Sequence, residues 1–332
     1  MLIYIEHQAK DFPQTQKILE QFPRAQKIYI QHYKNIFDKN IPAHLSLKPS
    51  FVIAKLNSPA LTKAPPWYGH NNHQSYFLKT SLNCIFDCAY CFLKGAFKND
   101  IPVYFVNYEE IKKEIQDLMV HQKRNIKNGD TYANALRLYS GDYSDIVWMN
   151  TWSGFLDTFV PFVENLAGVM MEVRTKSAQI QAILDLWFIP QHTEFAFSLN
   201  PQELIEKYEK GTASLSQRIE AINTLLDKWY QVGLRFLPLL PVDKYQEIYT
   251  HFVQEIKKQI DMSKIRSTFA SGLLFTKGDY KRMLKKHPDL DILYRLQEED
   301  DGFVRESKEM RAFFYDIFAD LDNKCFICLD ER

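Results

Sequence analysis

The chain has little or none of several features by which a sequence is readily assigned to a class of protein. Cysteine occurs only five times in 332 residues, and 41 Lys and Arg residues are balanced by 41 Asp and Glu residues. No apolar run approaches the ~18 residues that cross a bilayer. These absences exclude a disulfide-stapled miniprotein, a membrane-spanning chain and a strongly basic, histone-like binder. A local basic face is still compatible with a net charge of zero.

What is present is typical of a globular protein, with 46% hydrophobic and 25% charged residues. The length suits one large domain or two ordinary ones at ~150 residues per domain. Residues 1–6 have the pattern of a short strand and lack the basic start, apolar core and cleavage site of a secretory signal. We therefore expect a cytoplasmic protein without a membrane partner.

Segments with strand periodicity alternate with segments of helical periodicity along the chain. Strands are predicted at 2–5, 27–30, 51–54, 135–139, 169–173, 194–199 and 235–240, with a further strand end at 104–106. Helices are predicted at 15–22, 108–120, 154–166, 178–186, 215–230, 245–260 and 308–319. This alternation indicates parallel βαβ units, and about six units are too few for a closed eight-stranded barrel. The α/β fold is thus a partial barrel or an open doubly wound sheet.

The cysteines fall into two groups, which favours metal or redox chemistry over disulfides. Cys84, Cys88 and Cys91 have the spacing C-x3-C-x2-C. Three soft thiolates suit three irons of a [4Fe–4S] cube, which leaves the fourth iron open for a small ligand. A structural zinc site, with His70 or His73 as the fourth ligand, is the alternative. The plain alternative is three buried, inert cysteines.

With an aromatic residue directly before Cys91, this loop resembles the cluster loop of radical S-adenosylmethionine (SAM) enzymes, and the chain is similar to the spore photoproduct lyase family. Further stretches support the resemblance in family order: 4–6, 102–107, 144–147, 174–176, 197–200, 211–214 and 218–221. The resemblance implies a partial (β/α)6 barrel at 76–260. An N-terminal α/β extension at 1–75 would pack on it, and a C-terminal appendage at 261–332 would close its open side.

The resemblance also implies a set of site residues. Cys84, Cys88 and Cys91 would hold a [4Fe–4S] cluster whose open iron binds SAM, and a one-electron reductant such as flavodoxin or ferredoxin would supply the electron. The other implied residues are polar and lie mostly at predicted strand ends, where β/α barrels form their sites. Tyr90 would lie near SAM, Asp142 would take its amino group, Lys176 its carboxylate, Ser144 and Ser198 would supply hydroxyls, and Asp145 is a weaker contact. Tyr90 and Asp142 are the candidate catalytic residues.

The sequence departs from the family at two positions. Asp142 stands where the family has a cysteine that donates a hydrogen atom, and Phe92 stands where a tyrosine follows the third cluster cysteine. A carboxylate has no weakly bound hydrogen atom to donate. The hydrogen donor is therefore open, with Tyr90, Tyr139 and Tyr143 as alternatives.

The C-terminal region offers a candidate DNA-binding face, because basic residues cluster between positions 257 and 286. Lys277, Lys281, Arg282 and Lys285 are the candidate phosphate contacts for lesion-bearing DNA, and an ordinary solvated helix face is the alternative. Two other functions stay open: radical chemistry on a non-DNA substrate, and a non-catalytic zinc or iron–sulfur protein. The apolar segment 325–329 carries Cys325 and Cys328 and predicts a terminal strand, with a redox or metal-binding pair as the alternative.

Overall fold

The computed structural model describes residues 1–39, 50–65, 68, 74–121, 135–322 and 324–328. Its strands are β1 (Leu2–Glu6), β2 (Gln26–Ile30), β3 (Ser50–Ala54), β4 (Leu61–Lys63), β5 (Ser75–Leu78), β6 (Ser81–Leu82), β7 (Asp87–Cys88), β8 (Val103–Phe105), β9 (Leu136–Ser140), β10 (Val169–Thr175), β11 (Thr193–Ser198), β12 (Glu209–Lys210), β13 (Val232–Leu239), β14 (Ser267–Gly272), β15 (Phe275–Thr276), β16 (Gln297–Glu298), β17 (Phe303–Arg305) and β18 (Phe326–Cys328).

The α-helices connect these strands or cover their sheets. They are α1 (Pro13–Gln21), α2 (Lys34–Phe37), α3 (Phe92–Ala96), α4 (Tyr108–His121), α5 (Ile146–Ser153), α6 (Phe155–Glu164), α7 (Gln181–Leu184), α8 (Gln202–Tyr208), α9 (Leu215–Asp227), α10 (Tyr245–Gln259), α11 (Lys277–Lys286) and α12 (Lys308–Leu321). Short 3₁₀ turns occupy His7–Ala9, Met262–Lys264 and Asp291–Arg295. Within the described ranges, no helix has both the length and the apolar character that a membrane span requires.

The larger sheet is a curled array with the strand order β18-β14-β13-β11-β10-β9-β5-β4. Its six central strands, from β5 to β14, all run parallel. At one edge β4 pairs antiparallel with β5, and at the other β18 pairs parallel with β14. This topology confirms the predicted partial (β/α)6 barrel.

The barrel interior is lined with polar side chains. Side chains alternate between the two faces of each strand, and charged residues occupy the inward-facing positions. Along β10, Val173 is fully buried in the apolar core, whereas its neighbours Glu172 and Arg174 share a network of charged side chains. Arg235 on β13 donates to Glu172 at 2.7 Å, and it also contacts Glu194 on β11 at 3.3 Å. Burial acts to raise the pKa of Glu172, but the two guanidiniums outweigh it and hold that pKa at about 2. The lumen is therefore lined with compensated charges.

The smaller sheet has the order β2-β1-β3-β8-β6, in which β2, β1, β3 and β8 run parallel. Its core is apolar and includes Ile3, Ile5, Phe51 and Ile53, with Met149 of α5 against them. The predicted strand end at 104–106 therefore belongs to this sheet and not to the barrel. The sixth parallel barrel strand is instead β14, which lies beyond residue 260. Both sheets thus take strands from either side of a proposed division: the smaller sheet takes β6 and β8 from beyond residue 75, and the larger sheet takes β14 and β18 from beyond residue 260. The domain boundaries stay a prediction.

The helix predicted at 154–166 is confirmed as α6, whereas the pattern missed α5, which ends where α6 begins, at Gly154. This residue has φ of +58°, a left-handed conformation that glycine adopts without strain, and its N–H bonds to the Asn150 carbonyl at 2.8 Å. The helix α5 ends there and α6 begins at the next residue. At the other end of α5, Asp145 is the N-cap residue and lies next to the end of β10.

Candidate active site

The three cysteines lie on a short loop that follows β6. Asn83 starts the loop in a left-handed conformation, with φ of +61°, and its side chain donates to the carbonyls of Asn99 and Ile101. The Cys84 sulfur accepts from the Phe86 N–H at 3.4 Å. Cys91 is the N-cap residue of α3. The loop therefore has a defined shape at both of its ends.

A second segment, Glu209 to Ser214, fastens this loop to the barrel. The strand β7 pairs antiparallel with β12, so that Cys88 lies opposite Glu209. The Ala89 N–H bonds to the Tyr208 carbonyl at 2.7 Å, and the Tyr90 hydroxyl donates to the Glu209 carboxylate. In the sequence this segment stands out only as part of a family motif, and the backbone pairing gives it a structural role.

Glu209 is the hub of these contacts, and sequence reasoning missed it. Its side chain is fully buried with that of Arg218, which donates to it at 2.6 Å. Asn200 also donates to Glu209, at 2.9 Å. Burial acts to raise the pKa of Glu209, but Arg218 and then Lys176 outweigh it and hold that pKa below its ordinary value. A lone acidic residue shortly before a glycine carries no sequence signal for such a role.

The donor set of the loop fits an iron–sulfur cluster. All three cysteines are free thiols, and burial raises the pKa of each, that of Cys88 to about 12. Binding of iron would therefore displace three protons. No three metal-ligating side chains in the described part of the chain converge on one ion position. A cube does not need such convergence, because each thiolate binds a different iron. The alternative zinc ligands His70 and His73 lie outside the described residues.

Lys176 lies beside the loop at the end of β10. Its ammonium is 5.9 Å from the centre of the Tyr90 ring, and its charge acts to lower the pKa of Cys88 and Cys91 against the larger effect of burial. Its backbone N–H donates to Asp145 at 2.7 Å. A half-buried cation thus stands near the thiols of Cys88 and Cys91, in a position suited to a ligand carboxylate.

Asp145 is a capping residue of the fold. Its carboxylate accepts from the Trp148 N–H at 3.0 Å as the N-cap of α5, and from the Thr175 hydroxyl at 2.8 and 3.0 Å. Together with the bond from Lys176, these contacts tie α5 to the end of β10. The carboxylate has little capacity left for a ligand.

The two predicted serines differ in what their hydroxyls contact. Ser144 is buried and shares a hydrogen bond with Ser81. Ser198 is buried at the carboxyl end of β11, and its hydroxyl has no hydrogen-bond partner among the described residues. An unpaired buried hydroxyl costs free energy unless a ligand or water binds it. Ser198 is therefore the serine whose environment points to a ligand.

Asp142 follows β9 and is held in the lumen by two partners. Its Oδ1 accepts from the Tyr68 hydroxyl at 2.6 Å and from Arg174 at 3.2 Å. Arg174 also donates to the Tyr68 oxygen at 2.6 Å. The second oxygen, Oδ2, is buried and has no hydrogen-bond partner in the described structure. One oxygen of Asp142 is thus fixed by the protein while the other is available, and Tyr68 is a neighbour that sequence reasoning missed.

Gly141 allows this placement of Asp142. It has φ of +104°, and a Cβ added there would lie 2.6 Å from the Arg174 carbonyl oxygen. We expect Gly141→Ala to lower the free energy of unfolding by at least about 2 kcal/mol, through backbone strain and this contact. Guanidinium unfolding measures the change. Gly278→Ala is the control, since its nearest atoms are 3.5 and 3.9 Å away, and it should shift stability by no more than about 1 kcal/mol. Equal stabilities of the two variants would contradict the argument.

The four basic residues predicted to bind DNA lie on α11. Lys277 pairs with Glu298 at 2.6 Å, and Arg282 contacts Asp279 and the Gly95 carbonyl. Lys281 and Lys285 are exposed. The structure therefore leaves two cations of this helix directed to solvent, and DNA binding by α11 stays a prediction.

The C-terminal cysteines lie on and next to a short strand, as predicted. β18 pairs parallel with β14, with Cys328 opposite Ser271. Cys325 and Cys328 are both free thiols and partly buried, and burial raises the pKa of Cys325 to about 11. A redox or metal-binding role for them stays untested.

Comparison with known proteins decides the family. A family model described as spore photoproduct lyase matches residues 1–300. The chain belongs to the spore photoproduct lyase family. It is therefore a radical SAM enzyme. The spore photoproduct lyase of Bacillus subtilis is 24% identical over 310 residues, covering 90% of this chain and 84% of that protein. That of Geobacillus is 22% identical over 268 residues, covering 78% and 74%.

Solved structures of the family share the fold. One is a double mutant of spore photoproduct lyase with bound AdoMet and dinucleoside spore photoproduct, with a TM-score of 0.79, 18% sequence identity and coverage of 98% of this chain and 97% of that one. A second is a spore photoproduct lyase complexed with dinucleoside spore photoproduct, with a TM-score of 0.78, 18% identity and coverage of 99% and 98%. The spore photoproduct lyase architecture therefore extends over nearly the whole chain.

Proposed function

We propose that the chain holds a [4Fe–4S] cluster on Cys84, Cys88 and Cys91 and uses it to cleave SAM. When bound, the cluster supplies the electron that splits SAM into methionine and a 5′-deoxyadenosyl radical, which abstracts hydrogen from a substrate. The observation that carries the proposal is the anchored loop of three free thiols beside Lys176. The polar residues at the strand ends would then bind the rest of SAM.

The roles of the chain's own residues toward SAM follow from which atoms are free. The Lys176 ammonium suits the SAM carboxylate, and the Ser198 hydroxyl lacks another partner among the described residues. Asp142 Oδ2 is the oxygen suited to the SAM ammonium group. Ser144 and Asp145 are better explained as structural, because their polar atoms are already bonded.

Only the aromatic ring of Tyr90 would contact SAM. Its hydroxyl is engaged by Glu209, so a catalytic role for Tyr90 would require that bond to break.

We propose a thymine lesion in DNA as the substrate, on the strength of the family and of the relative solved with dinucleoside spore photoproduct. A lesion leaves the base stack more readily than an intact base, which lets it reach a recessed site. The second candidate is a non-DNA substrate. It is favoured by the charged pair of Asp142 and Arg174 in the lumen, where the family pattern has a neutral thiol.

Anaerobic reconstitution with iron and sulfide, followed by reduction in the presence of SAM, tests both levels of the proposal. We expect 5′-deoxyadenosine to form, and its rate to rise when dinucleoside spore photoproduct is added. A rate of 5′-deoxyadenosine formation that does not change when the lesion is added would favour the non-DNA substrate. A chain that holds one tight zinc and forms no 5′-deoxyadenosine would overturn the enzyme proposal and support a metal-binding protein.

A further inference from the structure

The helix α11 packs directly on α3, the helix that begins after Cys91. The Arg282 guanidinium donates to the Gly95 carbonyl at 2.9 Å. The Lys286 ammonium donates to the carbonyls of Lys94, at 2.6 Å, and Phe97. Met283 is fully buried. Two cations of one helix thus bind the carbonyl groups of the other.

These contacts replace partners that α3 cannot supply itself. A helix leaves its last four carbonyls without intrahelical donors, and α3 has only five residues. Most of its carbonyls are therefore in need of an external donor. Cations at a helix C-terminus are also favoured by the helix dipole. Without α11, the cluster loop would be continued by a turn too short to be stable alone.

Gly95 makes the close contact of the two helices possible. A Cβ at this position would lie 3.1 Å from the Met283 Cγ and 3.3 Å from the Asp279 backbone oxygen. An added Cβ would require Met283 or the backbone of α11 to shift by a few tenths of an ångström. The contact therefore depends on one residue from each side, Gly95 and Met283.

We infer that α11 is a clamp for the cluster loop, with Arg282 and Lys286 as positioning residues that hold α3 and thereby Cys91. The inference rests on the proposed [4Fe–4S] site and assigns a task to the C-terminal appendage beyond any contact with DNA. It predicts that weakening the contact between α11 and α3 alters the retention and the spectrum of the cluster while the thermal stability of the fold stays nearly unchanged.

The test compares Lys286→Met with Lys98→Met in reconstituted protein. Lys98 is exposed, lies just after α3, and has no hydrogen bond or ion pair among the described contacts. Iron release to a chelator should be about 10-fold faster in Lys286→Met, which corresponds to the low end of the losses in metal affinity that follow removal of groups orienting the ligands. Lys98→Met should release iron at the wild-type rate. Lys286→Arg, which can still donate to the carbonyls, should restore most of the retention.

A second variant and a spectroscopic readout separate positioning from general destabilisation. Gly95→Ala disturbs the same contact from α3 and should also speed iron release. Both variants should change the electron paramagnetic resonance spectrum of the reduced cluster, while their thermal unfolding midpoints stay near that of Lys98→Met. Wild-type iron retention and an unchanged spectrum in both would overturn the clamp. Failure of the wild-type chain to assemble any cluster would instead overturn the proposed function.

Discussion

Cys91→Ala is expected to abolish 5′-deoxyadenosine formation while the barrel stays folded. Each cysteine of the triplet would bind a different iron, and a [4Fe–4S] cube loses one of its three protein ligands in the variant. Cys91 is partly exposed as the N-cap residue of α3, and its side chain makes no cap hydrogen bond. Its removal should therefore cost little folding free energy.

Cys325→Ala provides the matched control for this prediction. Cys325 is also a partly buried free thiol, but it lies beside β18 at the barrel edge. The control should keep wild-type iron content and wild-type formation of 5′-deoxyadenosine, both measured after anaerobic reconstitution. Retention of a four-iron cluster and full SAM cleavage in Cys91→Ala would show that the triplet is not the ligand set.

Arg218→Met is expected to lower the free energy of unfolding by about 3–5 kcal/mol, since it leaves the Glu209 carboxylate buried without its partner. Both side chains of this pair are fully buried. Arg218 also donates to the Ser198 carbonyl at 2.8 Å and to the Thr212 hydroxyl at 2.7 Å. Its loss would therefore release the segment that holds the cluster loop.

Denaturant unfolding measures the loss of unfolding free energy in Arg218→Met. An exposed ion pair provides the control. Arg295 and Asp243 form a bidentate pair of the same chemistry, with side-chain exposures of 36% and 82%. Arg295→Met should change stability by only about 0–1 kcal/mol. Similar losses in both arginine variants would contradict the role given to burial.

Glu209→Gln is expected to remove part of the pH dependence of stability, and it tests the buried pair while Arg218 stays in place. The pKa of Glu209 is lower in the folded chain than its ordinary value of 4.5. Its ionised form thus contributes stability above pH 4.5, and this contribution is lost as the pH falls through the folded pKa. The variant should show a smaller decline of unfolding free energy in acid than the wild type. Acid unfolding curves of the two proteins that run parallel would contradict this assignment.

The sequence alone determined the features that depend on local pattern. Alternating strand and helix periods predicted parallel βαβ units, because side-chain burial on one face follows directly from residue spacing, and the family resemblance chose the partial barrel over an open sheet. The spacing of Cys84, Cys88 and Cys91 predicted a donor set of three thiols, because the three cysteines lie within eight residues of one another. Polar residues at strand ends located Lys176 and Ser198 at the mouth of the barrel.

Only the tertiary structure decided which of these side chains have polar atoms that are not already bonded within the described part of the protein. Asp142 and Asp145 look alike in the sequence, yet Asp145 is consumed by capping α5 while Asp142 keeps one oxygen without a partner among the described residues. Glu209 gave no signal in the sequence, and Lys286 stood out only as one residue of a basic cluster. Their partners Cys88 and Lys94 lie more than a hundred residues away, so only the folded chain brings them together. Local pattern encodes which face of an element is buried, but hydrogen bonds between distant segments arise only from their packing.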